Sequence, residues 1–214
     1  MKIAVLASGN GSNLQALLDA GARGELGPAE IAVVGVNVPG CGALERAAAA
    51  GVPSFVIDHR RFAARAEFDR ALIAELRARA TDLVVLAGFM RLLTPELLAA
   101  FPRRVINVHP ALLPAFPGLH AQAQAFRSGV KLAGCTVHFV DEGTDSGPII
   151  AQSAVPVLDD DDEESLRLRI LAEEHRLLPA VVRALAEGRV SGEGRRVVIA
   201  AAVARDPDRR LRSL

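Results

Sequence analysis

The sequence LVVLA at residues 83–87 is an unbroken run of aliphatic side chains. A strand with one wet face alternates apolar and polar residues, whereas a strand of a parallel sheet is covered on both faces and is apolar throughout. The run therefore predicts a buried strand in a parallel sheet that has helices on both faces.

The same pattern recurs on both sides of this strand. Strands are predicted at residues 2–7, 31–36, 54–57 and 104–108, and helices at residues 12–22, 44–50, 63–80 and 95–100. Strands that alternate with helices at this spacing form βαβ units. We expect a Rossmann-like α/β fold whose sheet is mostly parallel.

The pattern changes in the C-terminal part of the chain. After a helix at residues 121–128, strands at 136–140 and 149–157 are joined by turn residues without a helix, which predicts an antiparallel or mixed extension of the sheet. Residues 163–187 form a long helix that begins in the acidic run 159–164; such a solvated acidic start is favoured by the helix dipole. We expect one domain over residues 1–190 and a partly flexible C-terminal extension over 191–214, frayed from residue 205.

Composition and charge narrow the class of protein. Of 214 residues 50% are hydrophobic and 23% charged, and the 25 basic and 25 acidic side chains cancel. Such a chain has no overall positive field for a nucleic acid. No apolar stretch approaches the ~20 residues of a membrane helix, and the apolar start is too short for a signal peptide. Cys41 and Cys135 match no metal-ligand spacing, so we expect a cytoplasmic protein without a metal.

The first segment that could carry chemistry is SGNGSN at residues 8–13, between the first strand and the first helix. Its glycines let the backbone approach an anion, and the helix N-terminus offers unpaired N–H groups. The third glycine of a dinucleotide motif and a Walker lysine are both missing. The loop is therefore either a tight turn with a helix cap or a cradle for a phosphorylated small molecule.

The second segment is VINVHP at residues 105–110. Asn107 and His109 point to the same side of an extended chain, and Pro110 disfavours helical geometry at His109. An amide and an imidazole at a strand end can act on one reacting oxygen. A structural histidine fits the same sequence, so both interpretations stay open.

Two further segments have a structural and a functional interpretation. Residues 141–148 (DEGTDSGP) form a surface turn unless they fold back over the strand ends, where Asp145 would hold an imidazole in its charged form. Residues 86–93 (LAGFMRLL) are either core or the wall of a pocket for a flat heterocycle. We expect His138 to be a hydrogen-bonded core residue.

Six stretches in this order resemble the phosphoribosylglycinamide formyltransferases, folate-dependent enzymes of purine synthesis. They are ASGNGSN (7–13), AGFMR (87–91), NVHPALLP (107–114), FPGLH (116–120), DSGPII (145–150) and EEH (173–175). The resemblance covers nearly everything from residue 2 to residue 189. It implies transfer of a formyl group from 10-formyltetrahydrofolate, as co-substrate, to the amine of glycinamide ribonucleotide, by a monomer or a homodimer and without a metal.

The resemblance also implies roles for individual residues. Catalysis falls to Asn107, His109 and Asp145. The ribonucleotide would be bound by Gly11, Ser12, Asn13 and Glu174, and the folate by Arg65, Met90, Arg91, Leu92, Leu93 and Asn107. The chain departs from the family at residues 36–38, which are VNV where SNK is common, and at Ala111, where a serine is common.

Three rival functions share parts of this pattern. A methionyl-tRNA formyltransferase would add a tRNA-binding C-terminal domain, for which we expect the chain to be too short, and a neutral chain is poorly suited to RNA. A formyltetrahydrofolate deformylase would carry a regulatory domain ahead of the first strand. A non-catalytic nucleotide-binding or scaffold protein is compatible with the same fold, but it has no need of Asn107, His109 and Asp145 together.

Overall fold

A computed structural model of the chain describes residues 1–201. In chain order its elements are β1 (Lys2–Ala7), α1 (Ser12–Ala22), β2 (Glu30–Val36), α2 (Gly42–Ala49), β3 (Ser54–Val56), a 3-10 turn (His59–Arg61), α3 (Arg65–Ala78), β4 (Leu83–Leu86), α4 (Pro95–Ala100), β5 (Val105–His109), α5 (Ala121–Arg127), β6 (Leu132–Phe139), β7 (Ile149–Pro156), α6 (Glu163–Ala186), β8 (Val190–Glu193) and β9 (Arg196–Ile199).

The main sheet has seven strands in the spatial order β3-β2-β1-β4-β5-β6-β7. Strands β1 to β5 pair in parallel, and β6 and β7 continue the sheet antiparallel. This confirms the predicted fold class: a Rossmann-like, mostly parallel sheet with an antiparallel extension.

The core lies on both faces of this sheet. Along β1, Ile3 and Val5 pack into one apolar cluster with α1 and α6, while Ala4 and Leu6 pack into a second cluster with α3 and α4. All four side chains are buried. Successive strand residues point to opposite faces, so a strand covered on both sides has to be apolar at every position.

Strand β6 begins at Leu132 rather than at the predicted residue 136. Leu132 is exposed and Gly134 interrupts the apolar pattern, so the local sequence does not indicate a strand there. Pairing with β7 extends the strand nevertheless. A Cβ on Gly134 would lie 2.0 Å from the carbonyl oxygen of Ser153, so the glycine permits the close approach of the two strands.

The hairpin β8–β9 was not predicted from the sequence. Its strands are short and mostly exposed, and short exposed strands have little apolar periodicity. Val190 and Val197 pack against the main core, and Arg195 Nη1 donates to the Ser146 carbonyl at 2.7 Å. The expected domain boundary at residue 190 falls at the first residue of β8. The tail expected to fray, residues 205–214, lies outside the described residues.

Helix α6 begins at Glu163, within the acidic run of residues 159–164. The Asp162 side chain accepts from the Ser165 backbone N–H at 2.7 Å, and the Ser165 hydroxyl accepts from the Asp162 N–H at 3.0 Å. This reciprocal capping box satisfies two free N–H groups of the first turn. The run therefore starts the helix, as predicted. Across residues 1–201, no helix has the length and apolar character that crossing a membrane requires.

Candidate active site

The loops that follow β1, β4 and β5 meet at the carboxyl edge of the sheet, where ligands of open α/β sheets bind. A cavity of about 670 Å³ opens at this edge, within the roughly 300–1,000 Å³ of small-molecule sites. Its walls come from the segment after β4, the end of β5, residues 118–122 and residues 140–145. Segments far apart in the chain thus share one cavity.

Asn107 and His109 lie in β5 and both line the cavity. Their alternation along the strand puts both side chains on the same side, as the sequence predicts. His109 is buried. Its Nε2 lies 2.8 Å from the Phe116 carbonyl oxygen, and its Nδ1 lies 3.2 Å from Asp145 Oδ2. Both neighbouring oxygens are hydrogen-bond acceptors, so each ring nitrogen of His109 faces an acceptor.

Asp145 reaches His109 because residues 141–148 fold back over the strand ends. The backbone at Asp145 is left-handed, with φ +52°. Oδ2 also accepts from the Gly118 N–H at 2.8 Å. Burial raises the pKa of the carboxyl, but contacts from His138, the Gly118 amide and the charge of His109 outweigh it, and the pKa is below its ordinary value. The carboxylate is therefore ionised at neutral pH.

His138 lines the cavity, which sequence reasoning did not predict. It is buried and hydrogen-bonded, as expected of a core histidine, and its Nδ1 lies 2.9 Å from the Phe139 carbonyl oxygen. Its Nε2, however, lies 3.3 Å from Asn107 Nδ2 and 3.7 Å from Asp145 Oδ1. The antiparallel register places it opposite Asn107. A polar side chain in an apolar strand is the only local signal, and it does not name the partner.

The loop at residues 8–13 has the geometry of a helix N-terminus with open backbone groups. Gly11 precedes α1 with φ +78°, and a Cβ there would lie 3.0 Å from the Cα of Ala43. Ser12 begins the helix, and no side chain caps its N-terminus. The first N–H groups of α1 therefore remain available to an anion.

Asn13 and Glu174 form a buried pair although they are 161 residues apart in the chain. Asn13 Nδ2 donates to Glu174 Oε2 at 2.6 Å, and Asn13 Oδ1 is buried without a hydrogen-bond partner. Burial raises the pKa of Glu174 above its ordinary value, against the opposing effects of the Asn13 hydrogen bond and the Arg167 charge. The structure thus brings Glu174 to the loop that contains Gly11, Ser12 and Asn13.

Arg46, in α2, is a second residue that sequence reasoning missed. Its guanidinium donates to the Asn10 carbonyl at 2.7 Å, to Asn10 Oδ1 at 2.8 Å and to Gln15 Oε1 at 3.1 Å. It brings a positive charge to the loop at residues 8–13. The local sequence indicates only that an arginine lies in an alanine-rich helix, and it does not predict the contacts of that arginine.

The segment after β4 divides between core and cavity wall. Phe89 and Leu93 are buried, whereas Met90 is 67% and Leu92 54% exposed at the cavity. The Arg91 guanidinium lies 4.7 Å from the centre of the Phe68 ring. Arg65 is exposed at the start of α3 and is not among the residues that line the cavity.

No group of three or more His, Cys, Asp or Glu side chains within residues 1–201 is arranged to hold a metal ion. The charged cluster of the cavity consists of Asp145 with His109 and His138. Its chemistry is that of a carboxylate shared between two imidazoles.

The sequence model of the family described as formyl transferase matches residues 1–182. The chain belongs to the formyl transferase family. This confirms the family predicted from the six stretches of sequence.

Individual relatives agree with the family. The chain is 52% identical over 204 residues to the phosphoribosylglycinamide formyltransferase of Mycobacterium tuberculosis H37Rv, covering 92% of this chain and 94% of that protein. It is 50% identical over 188 residues to the trifunctional purine biosynthetic protein adenosine-3 of Drosophila melanogaster, covering 87% of this chain but only 14% of that protein.

Solved structures agree as well. The crystal structure of glycinamide ribonucleotide transformylase 1 from Symbiobacterium toebii is 54% identical and superposes with a TM-score of 0.90, over 93% of each chain. The formyl transferase assignment therefore rests on both sequence and fold.

Proposed function

We propose that the chain transfers the formyl group of 10-formyltetrahydrofolate to the amine of glycinamide ribonucleotide, in purine biosynthesis, with Asn107, His109 and Asp145 as catalytic residues. The observation that carries the proposal is the contact between His109 and Asp145, beside Asn107, at a cavity of small-molecule size. The amine attacks the formyl carbon and a tetrahedral intermediate forms. It collapses as the bond to the folate nitrogen N10 breaks, and the proton lost by the amine ends on N10.

His109 and Asn107 act on the oxygen that becomes negative in the intermediate. The His109 imidazole donates a proton or a strong hydrogen bond to this oxygen, which requires that its Nε2 leaves the Phe116 carbonyl. Asn107 Nδ2 carries two N–H groups, of which one faces His138 and the other is free for the substrate. Donors fixed before the reaction stabilise charge as it develops.

Asp145 keeps its negative charge in a partly buried place, since its pKa is below the ordinary value. That charge lies 3.2 Å from the His109 imidazole. The carboxylate also takes up transiently, directly or through water, the proton that the attacking amine loses, and passes it to His109. His109 then returns a proton to the leaving folate nitrogen, so carboxylate and imidazole divide the proton transfer between them.

The ribonucleotide binds at the edge formed by α1 and α6. Its phosphate accepts hydrogen bonds from the open N–H groups at Gly11, Ser12 and Asn13. Its ribose hydroxyls reach Glu174, whose carboxylate can accept from them. Arg46 contributes positive charge nearby.

The folate binds along the segment after β4. Met90 and Leu92 offer exposed apolar surface to the pterin, and Arg91 and Leu93 complete the wall. Backbone groups of residues 90–93 supply polar contacts that a flat heterocycle needs. Arg65 is proposed to approach the outer part of the folate, from its exposed place on α3.

The proposed site is assembled from one chain, so the reaction is available to a monomer and to a homodimer. The cytoplasm is the proposed compartment. Both cysteines are free thiols, as a reducing compartment favours.

A two-substrate assay tests the proposal. Purified protein is mixed with 10-formyltetrahydrofolate, with and without glycinamide ribonucleotide, and folate absorbance is followed. The chain has no Trp or Tyr, which keeps its own near-ultraviolet absorbance low. Deformylated folate released only with the ribonucleotide supports the transferase; release without it indicates a deformylase, and no release favours a binding protein.

A further inference from the structure

The hydroxyl group of Ser8 contacts two neighbouring loops at the carboxyl edge of the sheet, and the Ser8 N–H also donates to the Gly88 carbonyl at 3.0 Å. Ser8 follows β1, Asn37 follows β2, and Met90 lies after β4, on three strands that are neighbours in the order β2-β1-β4. The Met90 N–H donates to Ser8 Oγ at 2.8 Å, and Ser8 Oγ–H donates to Asn37 Oδ1 at 2.6 Å. A hydroxyl can bridge these groups because it both donates and accepts.

Asn37 is a fixed end for this chain of hydrogen bonds. It is only 2% exposed, and His59 Nδ1 lies 2.8 Å from its carbonyl oxygen. A buried polar oxygen that loses its donor costs free energy, so Asn37 holds the Ser8 hydroxyl in one direction. The second lone pair of Ser8 then faces the Met90 N–H.

The segment that Ser8 holds is the exposed wall of the cavity. Its far end is also fixed, because Asp69 in α3 accepts from both the N–H and the hydroxyl of Thr94, at 2.6 Å and 2.7 Å. Between these two anchors, Met90 and Leu92 stand exposed toward the cavity. A wall of exposed apolar side chains keeps its shape only if its backbone is held.

We propose that Ser8 is a positioning residue for folate: its hydroxyl, directed by Asn37, holds the backbone at Met90 in the shape that binds the pterin. This inference rests on the proposed folate site. Ser8 also begins the loop at residues 8–13, whose later residues are proposed to bind the ribonucleotide phosphate. Loss of the hydroxyl should weaken folate binding and leave ribonucleotide binding nearly unchanged.

The test compares Ser8→Ala with Ser8→Thr, which keeps a hydroxyl, and with Ser153→Ala as matched control. Ser153 also has a bonded hydroxyl, 2.8 Å from Glu173 Oε2, but lies in β7 away from the cavity. The binding of a 5,8-dideazafolate is titrated by calorimetry, and steady-state constants are measured for both substrates. Circular dichroism and thermal melts check folding.

For Ser8→Ala we expect a Kd for the analogue, and a KM for the folate, that rise about tenfold, the effect of one hydrogen bond. The KM for the ribonucleotide and kcat at saturation should change less than about threefold. Ser8→Thr should recover most of the affinity, and Ser153→Ala should bind as the wild type does. If Ser8→Ala does not fold, Asn37→Leu removes the acceptor that directs the hydroxyl and is expected to give the same split.

The inference is overturned if Ser8→Ala binds the analogue as tightly as Ser153→Ala does, or if both substrates weaken equally. A change in melting temperature alone also contradicts it. Calorimetry separates this outcome from failure of the proposed function: a wild type that binds the analogue but transfers no formyl group refutes the reaction and leaves the role of Ser8 testable.

Discussion

The candidate site holds two carboxylates with opposite surroundings, the partly buried Asp145 and the buried Glu174. Asp145 lies among groups that donate hydrogen bonds or carry positive charge, and its pKa is lowered. Glu174 is more deeply buried and has one neutral partner, Asn13, so burial dominates and its pKa is raised. The difference fits the two proposed roles, in which Asp145 balances charge during the reaction and Glu174 accepts hydrogen bonds from hydroxyl groups of the ribonucleotide.

The largest expected effect concerns the Asp145 end. His109→Ala removes the group that we propose to stabilise the developing oxyanion, so kcat should fall by about 10²–10³, as for loss of one such donor. The KM for the ribonucleotide should stay within about threefold, since that substrate binds at the other end. Steady-state kinetics on the folded variant measures both. A variant with near-normal kcat would show that the proposed mechanism is wrong.

The second prediction concerns the Glu174 end. Glu174→Gln weakens hydrogen bonds to a charged group, so the KM for the ribonucleotide should rise about tenfold or more while kcat is largely kept. Glu173→Gln is the matched control, because Glu173 neighbours Glu174 on α6 but accepts a hydrogen bond from Ser153 and none from Asn13. Equal effects of the two substitutions would remove Glu174 from the ribonucleotide site.

The third prediction concerns His138, which contacts Asp145 and Asn107 but not the Asn13–Glu174 pair. His138→Gln should lower kcat roughly fivefold, which corresponds to about one hydrogen bond that orients Asn107. The KM for the ribonucleotide should not change. A purely structural role predicts a lower melting temperature with an unchanged kcat in the folded fraction.

The smallest expected effect is on thermal stability, where substitutions of Asp145 and Glu174 should shift the melting temperature in opposite directions. Because the pKa of Asp145 is lowered in the folded state, its ionised carboxylate stabilises the fold above the ordinary pKa of 3.8, and this stabilisation is lost as the pH falls. Asp145→Asn should therefore melt below the wild type at pH 7 and approach it in acid. The raised pKa of Glu174 means that its ionised carboxylate destabilises the fold at pH 7. Glu174→Gln should therefore melt above the wild type at pH 7, and the difference in melting temperature should vanish below the ordinary pKa of 4.5. Thermal melts between pH 3 and pH 7 measure this, and shifts of the same sign would contradict the comparison.

Much of the fold could be predicted because its signals are local. The apolar runs of β1 and β4 and the periodicity of α1 reproduce the observed elements closely. The alternation of Asn107 and His109 also follows from strand geometry alone. The start of strand β6 and the β8–β9 hairpin could not be predicted, because Gly134 and the exposed hairpin residues form no local apolar pattern. These strands form because a partner strand pairs with them.

The candidate site was predicted in part. The resemblance implied roles for Asn13, Glu174 and Asp145, but it did not predict which residues these side chains contact. Arg46 and His138 were missed because each is an isolated polar residue whose partner comes from another element. Such partners are set by register and packing, which act over tens of residues.

The sequence by itself determined the alternation of strands and helices, the positions of the glycine loop and of the Asn107–His109 pair, and the family. These depend on side-chain periodicity and on motifs within a few residues. Only the tertiary structure decided that Asp145 folds back to His109, that Asn13 meets Glu174 across 161 residues, and that Ser8 holds Met90. The physical reason is that a hydrogen bond depends on distance in space, and the packing of the whole sheet sets that distance.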